Sequence, residues 1–246
     1  MSAHRTRWLL EKELRELAAS RSYWLLLLVI GALVGHQFMT ASGIYAEASG
    51  AGGGPAALSQ GLSPLEGIVV PTLGAYDIAA TLLFPFVVIR LIANEKQTGT
   101  LALTLQSPLP FAATMTAKLV ALLVAWLVAG MAGALALLTW RGAGGHLFGP
   151  ETMTVVLGHL LRGLLTIGVG AAAAALATSA ASAAIVALAV TLGTWALDYV
   201  AAARGGVIAS VAAYTPSAAL RVFEHGELRV ATVLILATLG LGGVVA

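Results

Sequence analysis

The chain has 246 residues, of which 59% are hydrophobic and only 10% are charged, and its mean hydropathy is +0.93. In soluble domains about a quarter of all residues are charged, so this composition excludes a soluble globular protein and indicates an integral membrane protein. The absence of cysteine excludes disulfide bonds and thiolate chemistry.

The N-terminal residues follow a helical pattern. Leu10, Leu14 and Leu17 lie on one face of the predicted helix, and the charged residues lie elsewhere on it. We expect residues 1–21 to form an amphipathic helix in the plane of the cytoplasmic membrane surface, the alternative being a solvated helix. The first apolar run begins only at Ser22, after three acidic residues, which argues against a cleaved signal peptide.

Long apolar runs predict an all-α integral membrane protein with a single transmembrane domain, because a helix of about 20 apolar residues is needed to cross a bilayer. The six predicted spans are about 22–41, 72–93, 119–139, 152–177, 184–200 and 228–246. Pro85 lies inside the second span, where we expect a kink. Residues 42–70 form a Gly-, Ser- and Pro-rich loop with no Lys or Arg.

The C-terminal third contains two further features. A tight turn is expected at residues 178–183, between the fourth and fifth spans. Val207–Tyr214 is apolar but too short to cross the membrane, so we expect a re-entrant or interfacial segment on the outer side. The last span is barely long enough and no basic tail follows it, which indicates either a trimmed end or a span that stops short of the far surface.

Lysine and arginine residues near the span ends indicate the orientation. With the N-terminus inside, the inner segments hold eight of these residues and the outer segments hold four. The positive-inside rule therefore places both termini and residues 94–118 in the cytoplasm.

No catalytic motif is present. The sequence contains neither a P-loop for ATP nor an H-E-x-x-H zinc motif, and its five histidines lack metal-ligand spacing. An intramembrane serine protease would need a serine in a glycine-flanked turn, and the closest string, Thr40–Gly43, lacks the first glycine. We therefore expect no enzyme activity, metal or cofactor on this chain.

Six polar residues lie within or near the predicted spans: His36, Gln37, Asp77, His159, Arg162 and Asp198. The predicted topology places all six in the outer third, and His159 and Arg162 share one helix face because they are three residues apart. One interpretation is an outer polar gate formed by Asp77, His159, Arg162 and Asp198, in which Arg162 pairs with either aspartate. The other is that these side chains reach the outer headgroups or form a structural ion pair.

Small residues predict close helix packing. Gly31-x-x-x-Gly35 and the run Ala171–Ala175 permit near contact between helix backbones in lipid. Such spacing gives only weak support to a homodimer, because it is common in a chain so rich in Gly and Ala.

The polar segment between the second and third spans, residues 94–118, carries the most specific pattern. It contains Glu95-x-x-x-Gly99-Thr100-Leu101-x-Leu103-x-Leu105-x-x-Pro108, followed by Lys118 at the start of a span. This pattern resembles the cytoplasmic signature of type-2 ABC exporter permeases. It is most similar to small six-span permeases of the gliding-motility and nitrous-oxide-reductase-maturation (multicopper enzyme maturation) type.

The resemblance extends over nearly the whole chain. The turn at residues 178–183 looks like the family's short inner turn, and Trp195-x-x-Asp198-Tyr199 with Phe223-x-x-Gly226 resembles its outer region. The chain departs from the pattern at Ala102, where the family has an acid, at Ala117, where it has glycine, and in lacking the basic tail. These departures concern details of the partner contact.

The resemblance implies a permease of the bacterial cytoplasmic membrane in which two permease copies pair and two separate ATPase subunits, which hold ATP and Mg²⁺, dock beneath them. Residues 94–118 would act as the coupling helix. The residues expected to contact the ATPase are Glu95, Lys96, Thr98, Gly99, Thr100, Leu101 and Leu103. Glutamate and lysine offer charge complementarity to a soluble partner, and the leucines can fill a groove.

Two alternatives stay open. Residues 94–118 could be an ordinary interfacial loop. The chain could also be a secondary transporter or channel without an ATPase, which would predict inverted three-span repeats and broken helices at the bilayer midplane. The sequence shows no obvious similarity between its two halves and predicts no charge at the midplane.

Overall fold

The computed structural model describes residues 2–49, 63–97, 99 and 111–245, and every regular element in these ranges is a helix. The helices are α1 Ser2–Ala18, α2 Arg21–Ala48, α3 Val70–Gln97, α4 Phe111–Gly142, α5 Gly149–Leu176, α6 Ala180–Arg204, α7 Gly206–Ala212, α8 Pro216–Glu224 and α9 Val230–Val245. A π-helical turn, Leu65–Val69, leads directly into α3. The predicted all-α class is confirmed over the described ranges.

Five of the described helices are long and apolar enough to cross a membrane: α2, the helix from Leu65 to Ala93, α4, α5 and α6. They correspond to the first five predicted spans. The sixth predicted span, 228–246, corresponds to α9, a shorter apolar helix of 16 residues. The helices α7 and α8, bent by 72° as a pair, form either one broken span or a re-entrant loop.

Several helices extend beyond the predicted spans. α2 continues to Ala48, and the helix containing α3 starts at Leu65, so both intrude into the loop predicted at residues 42–70. α3 also continues through Pro85. Hydropathy detects only the apolar part of a helix, whereas backbone hydrogen bonding continues beyond it into polar residues. The first three predicted spans are therefore shorter than the helices that contain them.

Serine caps fix two of the helix starts. The Ser20 side chain accepts a hydrogen bond from the backbone N–H of Tyr23 at the start of α2. Ser179 and Ser182 form a reciprocal capping box at the start of α6. The break between α5 and α6 is therefore only residues 177–179, shorter than the predicted turn at 178–183, because capping lets the new helix start at once.

The core lies around α3, which packs against α2, α4, α5 and α6. α2 contributes a stripe spaced by three or four residues, including Tyr23, Leu26, Ile30 and Val34. The largest buried side chain, Trp126 of α4, packs edge-on against Phe84 of α3, with ring centroids 5.0 Å apart. The opposite faces of α2 and α6 carry exposed apolar side chains.

A close backbone contact joins α5 to α9. A Cβ atom added at Gly168 would lie 2.3 Å from the carbonyl oxygen of Gly240, and one at Gly243 would lie 2.6 Å from backbone atoms of Gly168. Among the described residues, no atom of another helix lies within 4 Å of a Cβ added at Gly31 or Gly35, so the described helices do not make the predicted small-residue contact there. Sequence spacing identified glycine-rich helices but not the face that meets a neighbour.

Replacing Gly168 by alanine should separate α5 from α9, because the added methyl group meets backbone that cannot change rotamer. We expect the free energy of unfolding to fall by about 1–3 kcal/mol, measured by thermal or SDS-induced unfolding in detergent micelles. Gly242→Ala on α9 is the matched control, since nothing lies within 4 Å of its added Cβ. Equal stability of the two variants would contradict the contact.

Candidate functional site

One end of the bundle brings α1, the start of α2, the end of α3 and the start of α4 together; we call it the α1 end. Arg90 of α3 donates a hydrogen bond to the Ser22 hydroxyl of α2. Trp24 donates its indole N–H to the carbonyl of Ala18, at 2.7 Å, across the corner between α1 and α2. The helix α3 ends at Gln97 and α4 starts at Phe111.

A buried ion pair connects α1 to α4 at the α1 end. The Lys118 Nζ atom lies 3.0 Å from both carboxylate oxygens of Glu13, and the two side chains are 4% and 2% exposed. Lys12 also approaches the Glu13 carboxylate, at 3.1 Å. On the same helix as Glu13, Leu17 is buried in the main hydrophobic core, and Leu10 and Leu14 pack against that core. The apolar face of α1 is therefore covered by the bundle.

Sequence reasoning noted Lys118 but missed Glu13. The sequence did indicate that Glu13 could be buried, because it lies three residues after Leu10 and four before Leu17 and therefore borders the apolar stripe of the helix. A carboxylate at such a position needs a cationic partner, because an unpaired buried charge is costly. Lys118, followed by a long apolar run, needs an anion for the same reason.

The structure describes three of the residues predicted to contact an ATPase, Glu95, Lys96 and Gly99. Glu95 and Lys96 belong to the last turns of α3. Gly99 is exposed at a bend with φ +72°, a left-handed conformation that glycine adopts at no steric cost. The remaining predicted contacts, Thr98, Thr100, Leu101 and Leu103, lie outside the described residues.

A second polar cluster lies inside the bundle, between α3 and α5. The Arg162 Nε atom lies 3.5 Å from the Asp77 Oδ1 atom, and the two side chains are 3% and 11% exposed. This distance is long for a hydrogen bond, so the contact is an ion pair without good hydrogen-bond geometry. The Thr81 hydroxyl is 3.3 Å from the same carboxylate oxygen, to which it donates. Of the two predicted partners of Arg162, Asp77 is the one that the structure brings to it.

The cluster lies near the middle of its two helices. Arg162 is the fourteenth residue of the 28-residue α5, and Asp77 is the thirteenth of the 29-residue helix that starts at Leu65. The helix containing Asp77 starts seven residues before the predicted span, or about 10 Å at 1.5 Å per residue. The Arg162 side chain is 3% exposed, so it packs inside the bundle.

His159 lies one helical turn from Arg162 and is 5% exposed. Neither of its ring nitrogens has a hydrogen-bond partner within the described ranges. Its ring contacts the Tyr76 ring edge-on, with centroids 5.9 Å apart, and its backbone carbonyl accepts a hydrogen bond of 3.2 Å from the Trp126 indole. The Tyr76 hydroxyl donates to the Trp126 carbonyl at 3.1 Å. An aromatic wall thus surrounds an imidazole with free hydrogen-bonding capacity.

The other predicted gate residue does not join this cluster. Asp198 lies on α6 and accepts a hydrogen bond of 2.6 Å from the Thr215 hydroxyl, near the break before α8. His36 is exposed on α2. The structure therefore brings together Asp77, His159 and Arg162 and leaves Asp198 apart. Within the described part of the chain, no group of His, Asp and Glu side chains could hold a metal ion.

A comparison with known protein families gives a match over most of the chain. A family model described as ABC-2 family transporter protein matches residues 7–215. The match starts in α1, includes both polar clusters and ends immediately before α8. A search among curated proteins finds no match for the chain.

Neutralising Glu13 should destabilise the α1 end. Glu13→Gln removes the carboxylate from a buried ion pair, for which we expect a loss of about 3–5 kcal/mol in the free energy of unfolding. Glu16→Gln is the control, because its ion pair with Lys12 is about half exposed and worth about 0–1 kcal/mol. Replacing both Glu13 and Lys118 by methionine should restore most of the stability, because no buried charge is left alone. The pairing would be contradicted if Glu13→Gln and Glu16→Gln unfolded at the same SDS concentration.

The Asp77–Arg162 pair allows a charge-swap experiment. Asp77→Asn and Arg162→Gln should each destabilise the protein by about 3–5 kcal/mol, and the double exchange Asp77→Arg with Arg162→Asp should recover part of that loss. Glu227→Gln breaks an exposed pair with Arg229 and should have little effect. Unfolding in mixed micelles measures the stabilities.

A gate role makes a further prediction, that the exchanged pair stays defective in the substrate-stimulated ATPase activity of the assembled transporter. If the single and double variants all behave like the parent, the gate idea fails.

Proposed function

Since the chain belongs to the ABC-2 family of transporter proteins and is the permease subunit of an ABC transporter, we propose that it forms the translocation path of an exporter in which two permease copies are driven by separate ATPase subunits. The proposal assigns residues 94–118 as the coupling segment and places the α1 end in the cytoplasm. It also assigns the chain to the gliding-motility and nitrous-oxide-reductase-maturation type, on the sequence pattern around Gly99.

The buried Glu13–Lys118 pair carries the coupling proposal. A segment that receives force from a soluble ATPase must pass it to more than one helix, and residues 94–118 connect α3 to α4. Because Glu13 holds α1 against the start of α4, a displacement of the segment also moves α1. The hydrogen bond between Arg90 and Ser22 extends the same connection to α2. Force on one segment thereby reaches four helices.

The exposed faces of α2 and α6 support the pairing of two copies. Both helices present large apolar side chains on the outside of the bundle, among them Leu33 on α2 and Ile185 on α6. Gly31 and Gly35 lie on α2, and no described residue lies within 4 Å of a Cβ added at either position, which leaves space for a second helix at close range. A second permease copy is the occupant that this surface fits within the proposed transporter.

Co-purification with a separate ABC ATPase subunit from the same organism tests the coupling proposal. We expect the two proteins to elute together from a mild detergent, and Glu95→Arg or Gly99→Trp to abolish co-elution. The first variant reverses a charge at the proposed contact, and the second forces a large side chain into a left-handed backbone conformation.

Glu47→Arg is the matched control. It makes the same charge change at an exposed position near the end of α2 opposite the α1 end, so it should leave co-elution intact. If the chain elutes alone and transports without ATP, the coupling assignment is wrong and a secondary transporter becomes the better explanation.

A further inference from the structure

A cavity of about 240 Å³ lies at the α1 end, where the C-terminal part of α1 meets the C-terminal part of α3. Its apolar lining includes Leu17 and Leu91, both of which are buried. Its charged lining consists of Glu16 on α1 and Arg90 on α3. A carboxylate and a guanidinium from two different helices therefore face one cavity.

Glu16 and Arg90 both keep capacity for a ligand. Among the ion pairs of the described residues, none joins the one to the other. The Glu16 carboxylate pairs with Lys12 at 3.4 Å, a long contact for a group that accepts about four hydrogen bonds. Arg90 donates to the Ser22 hydroxyl through Nη1 and carries about five N–H donors. Both side chains are exposed, so a molecule in the cavity can reach them.

The cavity lies at the level of the membrane surface. The apolar span of α2 starts at Arg21, and that of the helix containing α3 ends at Ala93, so both spans reach their polar boundary here. Trp24, in the first turn of α2, is exposed, and tryptophan is enriched where hydrocarbon meets lipid headgroups. Phe86 is exposed one helical turn before Arg90 on the same face of α3. A ligand at the cavity therefore has an apolar surface beside it, toward the membrane interior.

The two charges favour a zwitterionic headgroup with a primary ammonium. A guanidinium binds phosphate oxygens through parallel N–H···O bonds, and a carboxylate accepts from N–H donors, which a quaternary ammonium lacks. An anionic headgroup would satisfy Arg90 but would bring a phosphate near Glu16 without a cation for the carboxylate. The volume is below the about 300–1,000 Å³ of sites that enclose a drug-sized molecule, so the cavity admits a headgroup and leaves the acyl chains outside.

We propose that this cavity binds the headgroup of phosphatidylethanolamine, with the phosphate on Arg90, the ammonium on Glu16 and the acyl chains along the exposed face of α3 at Phe86. The bound lipid connects α1 to α3, two helices that no ion pair of the described residues joins. The proposal goes beyond the transport function and requires only that the chain spans a membrane.

Native mass spectrometry of the full chain, released from detergent micelles, measures the binding. The probes are phosphatidylethanolamine, phosphatidylcholine and phosphatidylglycerol with identical dioleoyl chains, titrated separately. We expect the first phosphatidylethanolamine molecule to bind about tenfold more tightly than either other lipid, as expected for one additional charge-assisted hydrogen bond at a half-exposed site.

Reversing the charge of Glu16 should reverse the preference. In Glu16→Lys two cations face the phosphate, so phosphatidylglycerol should bind more tightly than phosphatidylethanolamine. A gain of affinity for a different lipid cannot result from misfolding. Glu47→Lys makes the same change at an exposed position near the other end of α2 and should keep the preference of the parent.

Removing the guanidinium should weaken binding. Arg90→Gln should lower the affinity for phosphatidylethanolamine by about tenfold. Because this change also removes the hydrogen bond to Ser22, Ser22→Ala separates the two effects: it removes the bond, keeps the charge and should bind the lipid like the parent. Arg141→Gln, at an exposed position at the end of α4, is the matched control.

Three results would overturn the proposal. Equal affinities for phosphatidylethanolamine and phosphatidylcholine would show that no ammonium contact exists. An unchanged preference in Glu16→Lys, or unchanged affinity in Arg90→Gln, would show that other residues hold the headgroup. Displacement of the lipid by an equal concentration of glycerophosphoethanolamine, the same headgroup without acyl chains, would show a soluble ligand instead. The measurement contains no ATPase, so its failure is distinguishable from loss of co-elution, which tests the permease coupling.

Discussion

The ion pair between Glu13 and Lys118 is the interaction on which the arrangement of the α1 end depends. Hydrocarbon and packed apolar side chains cannot solvate either charge, so each residue requires the other. Two oxygens at 3.0 Å from one ammonium define both the distance and the rotation of α1 relative to α4. Leucine packing alone would hold α1 against the bundle but would allow it to slide, because apolar contact is not directional.

A comparable pair recurs halfway along the bundle. Asp77 and Arg162 connect α3 to α5 where Phe84 and Trp126 pack between the helices. Charges at this depth mark functional sites in membrane proteins more often than elsewhere. α3 takes part in this pair and also leads into residues 94–118, so movement imposed at the α1 end has a direct structural route to the cluster. In this cluster the His159 ring nitrogens and the Arg162 Nε atom are buried without a hydrogen-bond partner among the described residues.

Glycine allows α5 to occupy the centre of these contacts. Gly163 makes room for the Trp126 ring, Gly158 for Phe223 of α8, and Gly168 for the backbone of α9. In each case an added Cβ would lie less than 3.0 Å from its neighbour. Close approach of helices is the main source of packing energy in lipid, where apolar side chains gain little by leaving the solvent. The short α9 is retained by this contact with α5.

The sequence by itself determined the membrane class, the all-α fold, the first five spans and the family, because hydropathy and the pattern around Gly99 are local properties of the chain. It also selected Asp77, His159 and Arg162, since charge within an apolar run is visible in one dimension. Only the tertiary structure decided that Asp77 rather than Asp198 pairs with Arg162, that Glu13 pairs with Lys118, and that the close glycine contact is at Gly168 rather than Gly31. Each of these depends on which helix faces meet, and helix faces are matched by three-dimensional packing between residues far apart in the chain.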